Sequence, residues 1–167
     1  VLDPNGFTIS VAPNAQTYPA VAFDGTNYLV VWQDSRNRSE DIYCARVSCS
    51  GTVLDPSGIP VSVTAYDEAN PSIDFDGLNY LVAFQSGRGT SYDILGTRVS
   101  QAGIVLDPVP FSISTAFSDQ SFPAIAFDGT NYLVVWQDSR YVYYDIFGAR
   151  VTRDGCLLDT AGIPIST

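Results

Sequence analysis

An all-β fold, a β-propeller built of four-stranded antiparallel blades, is predicted by three observations. A unit of 52 residues returns three times without a gap. Within each copy, apolar side chains alternate with the two-residue rhythm of a strand, and no stretch carries a helical period. Repeats of this length belong either to propeller blades or to helical units such as HEAT and armadillo repeats, and the strand rhythm selects the former.

The unit opens on Val1-Leu2-Asp3-Pro4, which recurs as Val53-Leu54-Asp55-Pro56, as Val105-Leu106-Asp107-Pro108 and a fourth time as Leu157-Leu158-Asp159-Thr160. Ala22 to Arg36 return unchanged as Ala126 to Arg140, and copy two keeps the frame with drift from Asp74 to Gln85. A single propeller segment follows, with repeats 1–52, 53–104 and 105–156 and a partial repeat 157–167.

Four strands are read in each copy. Val21 and Phe23 alternate with Ala20 and Ala22, and Ile73 and Phe75 with Ser72 and Asp74, which gives strand A. Asp24-Gly25-Thr26-Asn27 supplies hairpin residues that tolerate positive φ. Tyr28 to Gln33 follows as a β-branched and aromatic run buried on both faces, strand B. After a polar loop, Asp41 to Val47, Asp93 to Val99 and Asp145 to Val151 form strand C, and Gly51, Gly103 and Gly155 close the next turn. Ile59 to Ser62 is strand D, matched by Phe7 to Ser10, Phe111 to Ser114 and Ile163 to Ser166. Pro60 and Pro164 place it at the outer edge, because Pro lacks the N–H that a central ladder needs. A β-solenoid is the rival architecture, although its coils are usually shorter and need no hairpin.

Three A-B-C cores stand against four copies of strand D, so Val1 to Ser10 is left over and is assigned to a blade outside this chain. Closed propellers typically use four to eight blades. Three would leave apolar faces and sheet edges open to aggregation. The expected partner is therefore a second copy, forming a six-bladed homodimer, or further blades of a longer polypeptide.

Composition narrows the function. Net charge is −10, Asp supplies sixteen of the eighteen acids, and Glu40 and Glu68 are the others. Such a surface repels nucleic acid and anionic membrane, and Asp is also the short acid favoured in turns. No apolar stretch approaches the roughly 18 residues of a membrane span, and no signal peptide is read in these residues. The absence of Met, including at position 1, gives the expectation of a processed or truncated piece. Cys44, Cys49 and Cys156 lack a metal-type spacing and are odd in number, so at least one thiol is unpaired or bonded to another chain. Cys44 holds the place of Gly96 and Gly148 and is read as a small buried residue. A Cys44–Cys49 disulfide would require a bend between them.

The Phe-Asp-Gly-Thr-Asn-Tyr-Leu-Val-Val-Trp core at Phe23–Trp32 and the Asp-Ile-Phe-Gly-Ala-Arg-Val strand at Asp145–Val151 resemble repeats of secreted and cell-surface proteins of bacteria and archaea. The resemblance covers essentially the whole chain. It implies a propeller fold and an extracellular or cell-surface location, and it implies no activity.

Antiparallel strands put the A-B and C-D turns at one end of a blade and the B-C and D-A loops at the other. The second end diverges among copies, and binding residues concentrate on such loops; unconstrained drift accounts for the divergence equally. Tyr66, Tyr92, Phe117, Tyr141, Tyr143 and Tyr144 would give that end an aromatic surface suited to sugars or a surface protein, or some of them pack between blades. Asp41, Asp93 and Asp145 recur in every copy, as do Arg46, Arg98 and Arg150, with Arg36, Arg88 and Arg140 beside them. Recurrence in every blade points to a structural role, such as an Arg bracing an Asp-rich turn.

Catalysis is not expected from this reading. Without His there is no Ser-His or Cys-His pair and no His metal site, and every Asp has a repeat or turn explanation, so no carboxylate pair can be assigned. No cofactor is expected; Asp-rich loops offer calcium the hard oxygen ligands it prefers, but no stretch follows the alternating acidic pattern of a calcium loop. Asn37-Arg38-Ser39 fits the N-glycosylation triplet. The sequence thus predicts a non-catalytic extracellular structural or binding module. A carbohydrate-binding propeller is the second reading, and part of a sialidase-like, glycan-processing enzyme the third.

Overall fold

A computed structural model describes residues 3–141 and 143–166; the expectations that fall on Val1, Leu2, Val142 and Thr167 lie outside the described residues. Each copy folds into its own antiparallel sheet. Blade 1 holds β1 (Gln16–Phe23), β2 (Asn27–Asp34), β3 (Asp41–Ser48) and β4 (Ile59–Ser62). Blade 2 holds β5 (Glu68–Phe75), β6 (Asn79–Ser86), β7 (Asp93–Ser100) and β8 (Phe111–Ser114), and blade 3 holds β9 (Gln120–Phe127), β10 (Asn131–Asp138), β11 (Asp145–Thr152) and β12 (Ile163–Ser166). The strand order within every sheet is the order along the chain. The propeller architecture is therefore observed, with no helix among the described residues.

The hairpins show why the sequence repeats. In blade 1 the Asp24 carboxylate accepts the N–H groups of Thr26 and Asn27, both at 2.7 Å, while the Asp24 N–H donates to the Asn27 carbonyl at 3.0 Å. Gly25 completes the turn at φ +93°, a left-handed value that a side chain would strain. Phe23 and Tyr28 then face each other across the first rung, ring centroids 4.8 Å apart. The same pair recurs as Phe75–Tyr80 and Phe127–Tyr132.

The innermost strands β1, β5 and β9 lie against one another, and β4, β8 and β12 form the outer edge. Each sheet is apolar on both faces because each is meant to be covered twice. Leu29, Val31, Ile42 and Val61 of blade 1 meet Tyr80, Val82, Phe84 and Leu95 of blade 2. One repeat on, Leu81, Ala83, Ile94 and Ile113 of blade 2 meet Tyr132, Val134, Trp136 and Phe147 of blade 3. Fully burying one such side chain contributes about 1.5–3 kcal/mol, so these two seams carry most of the core. The small residue read at Cys44 is indeed buried, and its thiol is pushed up to about 12 by that burial, with the nearby Asp55 charge adding to it. Cys49 and Cys156 are exposed and unbonded.

Two expectations need correction. Phe7 to Ser10 is not a strand: the C strand that would flank it is missing, so its backbone has no ladder to join. Strand A is also longer than its alternation suggested, beginning at Gln16, Glu68 and Gln120. Its register shifts between Thr17 and Ala20 and between Ala69 and Ser72. Tyr18, Asn70 and Phe122 sit at these bulges with φ of +51°, +51° and +54°.

Leu81→Ala should lower the unfolding free energy by about 2–5 kcal/mol in urea titrations, since Leu81 is sealed between blades 2 and 3. Leu78→Ala, at the exposed tip of the β5–β6 hairpin, should change it by less than about 0.5 kcal/mol; equal losses would contradict the seam.

Candidate functional site

Six of the eight arginines take two recurring positions. Arg46 grips Asp55 with two prongs, Nε to Oδ2 at 2.8 Å and Nη2 to Oδ1 at 2.9 Å, and its backbone N–H donates to the same carboxylate. Arg98 with Asp107 and Arg150 with Asp159 repeat the arrangement. Asp55, Asp107 and Asp159, of the second to fourth copies of the Val-Leu-Asp or Leu-Leu-Asp motif, thus tie the connection leading into strand D to strand C. Hydrogen bonds from the arginines hold the carboxyls of Asp55 and Asp107 below their ordinary value.

At the opposite end, Trp32 Nε1 donates to Asp34 at 2.7 Å and Arg36 donates to both oxygens of that carboxylate. The Arg36 guanidinium lies 3.9 Å over the Tyr43 ring, and its Nη1 donates to the Ser57 carbonyl, which pins the B-C loop to the turn before the outer strand. Trp136, Asp138 and Arg140 repeat the set. Burial alone would raise the Asp34 carboxyl, but the bonds from Arg36 and Trp32 outweigh it and hold it below its usual value.

Blade 2 departs from this. Phe84 and Ser86 replace the Trp and Asp, and Glu68 replaces the Gln found at Gln16 and Gln120. Glu68 and Ser86 face each other across one rung, as do Gln16 and Asp34. The carboxylate has moved one strand inward, where no arginine reaches it. Glu68 Oε1 accepts from Thr64 Oγ1 at 2.5 Å, and Oε2 has no partner among the described residues. Burial pushes the Glu68 carboxyl up.

Among the described residues, none of the three aspartates predicted by recurrence forms an ion pair with an arginine. Asp41 is fully buried and accepts from Asn37 Nδ2 at 2.8 Å and from Ser39 Oγ at 3.2 Å. Asp93 and Asp145 hold the same place in blades 2 and 3, half-buried. Desolvation raises the Asp41 and Asp93 carboxyls.

All six aromatic residues of the loop end are exposed, but they do not form one surface. Phe117, Thr90, Ser91, Ser118 and Asp119 line a shallow cleft of about 320 Å³ at the seam between blades 2 and 3. Tyr92 lines an adjoining cleft with Asp67 and Gly87, and Thr90 and Ser91 belong to both. Tyr92 is anchored there, its N–H donating to Asp119 and its carbonyl accepting from Gln120 N–H at 2.8 Å. Tyr66 stands apart on the preceding D-A loop. Tyr141, Tyr143 and Tyr144 occupy the B-C loop of blade 3, with the Tyr141 ring 6.3 Å from Phe147.

Sequence reasoning missed Tyr18, Asn70 and Phe122, which project from bulged inner strands beside this loop end. Asn70 remains half-exposed with a blade on either side, its Nδ2 donating to Gln85 Oε1 at 2.9 Å. A bulky residue at positive φ is strained, and such strain gathers at functional sites. The overlooked signal is Pro19, Pro71 and Pro123, one after each of them: Pro inside a strand marks a bulge.

Among the described residues no group of three or more His, Cys, Asp and Glu is placed to hold a metal ion, and no helix is long and apolar enough to cross a membrane.

No protein-family model matches the chain, and no curated protein matches it in sequence. Solved structures do match in fold. The family GH43 endo-arabinanase of Bacillus licheniformis is similar at TM-score 0.61 and 15% identity, over 98% of this chain and 66% of its own. The arabinanase of Bacillus subtilis gives 0.60 at 17% identity, over 90% of this chain and 56% of its own. A subtype N10 neuraminidase-like protein (A/little yellow-shouldered bat/Guatemala) gives 0.63 at 16% identity, over 91% of this chain and 45% of its own. The chain spans about half to two thirds of these structures' length, and at such identities the likeness is one of fold.

That likeness overturns the expectation of a non-enzyme. Arrangements of blades like this one serve as the scaffold of glycoside hydrolases. The exclusion of catalysis rested on the absence of His and on a repeat or turn explanation for every Asp, whereas a ring can assemble a site from single side chains of several blades, a pattern that no single copy reveals.

Glu68→Gln, which installs the residue of copies one and three, should stabilise the fold at pH 7. A folded-state pKa above the unfolded one means that stability falls as pH rises through the interval between them. The gain should therefore vanish below about pH 4, where the acid is protonated in both states, and grow above it; thermal melts across pH check this, and a gain independent of pH would contradict it.

Proposed function

We propose that this chain is the three-bladed part of a glycan-processing propeller whose loop end receives the saccharide. The reading is carried by one observation, the fold likeness to glycoside hydrolases over nine tenths or more of the chain. Exposed rings near that end support it, with Phe117 at the cleft between blades 2 and 3, Tyr92 in the adjoining cleft among the loops of blade 2, and Tyr18 and Phe122 on the inner strands. Rings of this kind offer a sugar a flat apolar face at low entropic cost, and the tyrosines add a polar tip.

The substrate class that suits the site is a neutral oligosaccharide. A net charge of −10 disfavours polyanions, and among the described residues no arginine lines either cleft to pair a carboxylate sugar. Glycan polymers are too large to enter a cell, so the work belongs outside it, at an extracellular or surface location.

The purified chain should bind neutral glycans on an array, and Phe117→Ala and Tyr92→Ala should each weaken that binding about tenfold, the loss of roughly 1.4 kcal/mol. Reducing-sugar release from the bound glycan would place hydrolysis in these blades. A folded chain that neither binds nor cleaves any glycan contradicts the proposal.

A further inference from the structure

The two seams are built from one set of cross-blade contacts, and the ends of the chain carry its two unpaired halves. At the seams, Glu68 N–H donates to the Glu40 carbonyl at 2.6 Å and Gln120 N–H to the Tyr92 carbonyl at 2.8 Å. Gln33 and Gln85 reach across to accept the N–H groups of the bulged residues Asn70 and Phe122, at 3.4 and 3.2 Å. The hydroxyls of Tyr80 and Tyr132 donate to the carbonyls of Asn27 and Asn79, at 3.4 and 3.0 Å.

One repeat earlier, the donors are Gln16 N–H, Tyr18 N–H and the Tyr28 hydroxyl on the open face of blade 1. One repeat later, the acceptors are the Tyr144 carbonyl, Gln137 Oε1 and the Asn131 carbonyl on the open face of blade 3. The apolar groups divide in the same way. Tyr28 is 41% exposed where Tyr80 and Tyr132 are 1% exposed, and Leu133 is 40% exposed where Leu29 and Leu81 are 0%. Blade 3 thus ends on the half of a seam that blade 1 lacks.

Residues 3–10 hold the missing place on blade 1. Gly6 N–H donates to the Asp3 carbonyl as Gly58 does to Asp55 and Gly162 to Asp159, all in the same turn. Phe7 lies over Gly51 as Ile59 lies over Gly103 and Phe111 over Gly155. Ile9 packs on Trp32 and Val30. The segment is therefore docked as the outer strand of an absent blade, yet it has no ladder, Asp3 has no arginine among the described residues, and a groove of about 390 Å³ remains beside Val21, Tyr28 and Val30. By contrast β12 is held to β11 by its ladder, and the Arg150–Asp159 pair secures the turn before it.

We propose that a second copy of this chain covers these faces head to tail, blade 3 of each copy on blade 1 of the other, closing a ring of six blades. The partner's β12 then takes the place of residues 3–10, which give way because they have no ladder to lose. Length fits a ring of that size: the chain matches 45% of the neuraminidase-like propeller, whereas it matches 66% and 56% of the two arabinanases, which two copies would overfill. A head-to-tail contact of this kind closes as a ring or grows as a filament, and the second outcome is distinguishable.

Size-exclusion chromatography with light scattering on the full chain tests this. The expected result is a discrete species of twice 18.0 kDa. Leu133→Asp, on an exposed position that leaves each chain's own seams intact, should yield a monomer that still unfolds cooperatively. Phe7→Ser combined with Ile9→Ser should tighten the dimer about tenfold by loosening the segment that competes with β12. A monomer at every concentration overturns the proposal and leaves a further copy of the repeat in a longer polypeptide as the cover. Open-ended growth with concentration overturns ring closure, a dimer indifferent to Leu133→Asp places the contact elsewhere, and a dimer weakened by the Phe7 and Ile9 changes overturns the displacement.

Discussion

A four-stranded sheet that is apolar on both faces cannot exist alone in water; it needs a cover on each side. Everything else in this molecule follows from that requirement. Because the cover is another copy of the same sheet, each copy must present one face that fits the next and another that fits the previous one. This is why Leu29 and Leu81 return at the same position in successive copies, and why Tyr80 and Tyr132 do. Blade 2 has both covers and is the best-buried unit, whereas blades 1 and 3 each have one.

Polar groups at the blade ends are satisfied locally, and this frees the loops. The Arg46–Asp55 clamp and its two repeats fix the connection leading into strand D to strand C, and the Trp32–Asp34–Arg36 set holds the B-C loop in blades 1 and 3. With the frame secured, loop residues between these anchors can change without cost to the fold. Blade 2 shows how such change is absorbed: a Phe in place of Trp has no N–H to satisfy, so the Asp beneath it is dispensable, and the acid reappears at Glu68. The departure from the repeat falls next to the clefts lined by Tyr92 and Phe117.

The sheet architecture was legible because strand rhythm, turn residues and the repeat all agree, copy after copy. The outer position of strand D and the Asp-Gly hairpins followed from local chemistry alone, whereas the start of strand A, beyond its bulge, did not. The site was less legible for a physical reason. Bulges at Tyr18, Asn70 and Phe122 interrupt the strand rhythm; at Asn70 and Phe122 the N–H donates across the seam to Gln33 and Gln85, 37 residues distant, and only the prolines beside them betray the irregularity. Pairing of the recurring charges was hidden too. Asp41 looks like a natural partner for an arginine, but strand direction sends Arg46 to Asp55 and Arg36 to Asp34, leaving Asp41 to Asn37 and Ser39. The likeness in fold to glycoside hydrolases was hidden too, since it lies in how the blades are arranged and not in any motif of a single copy.

Amide hydrogen exchange at Glu68 and Gln120 probes the claim that the blades stand by covering one another, because these two N–H groups cross the seams. If it holds, both exchange only as the central strand β6 opens, with the same free energy. Exchange of the two at loop rates while β6 stays protected would mean that the sheets are stable singly and that the seams are incidental.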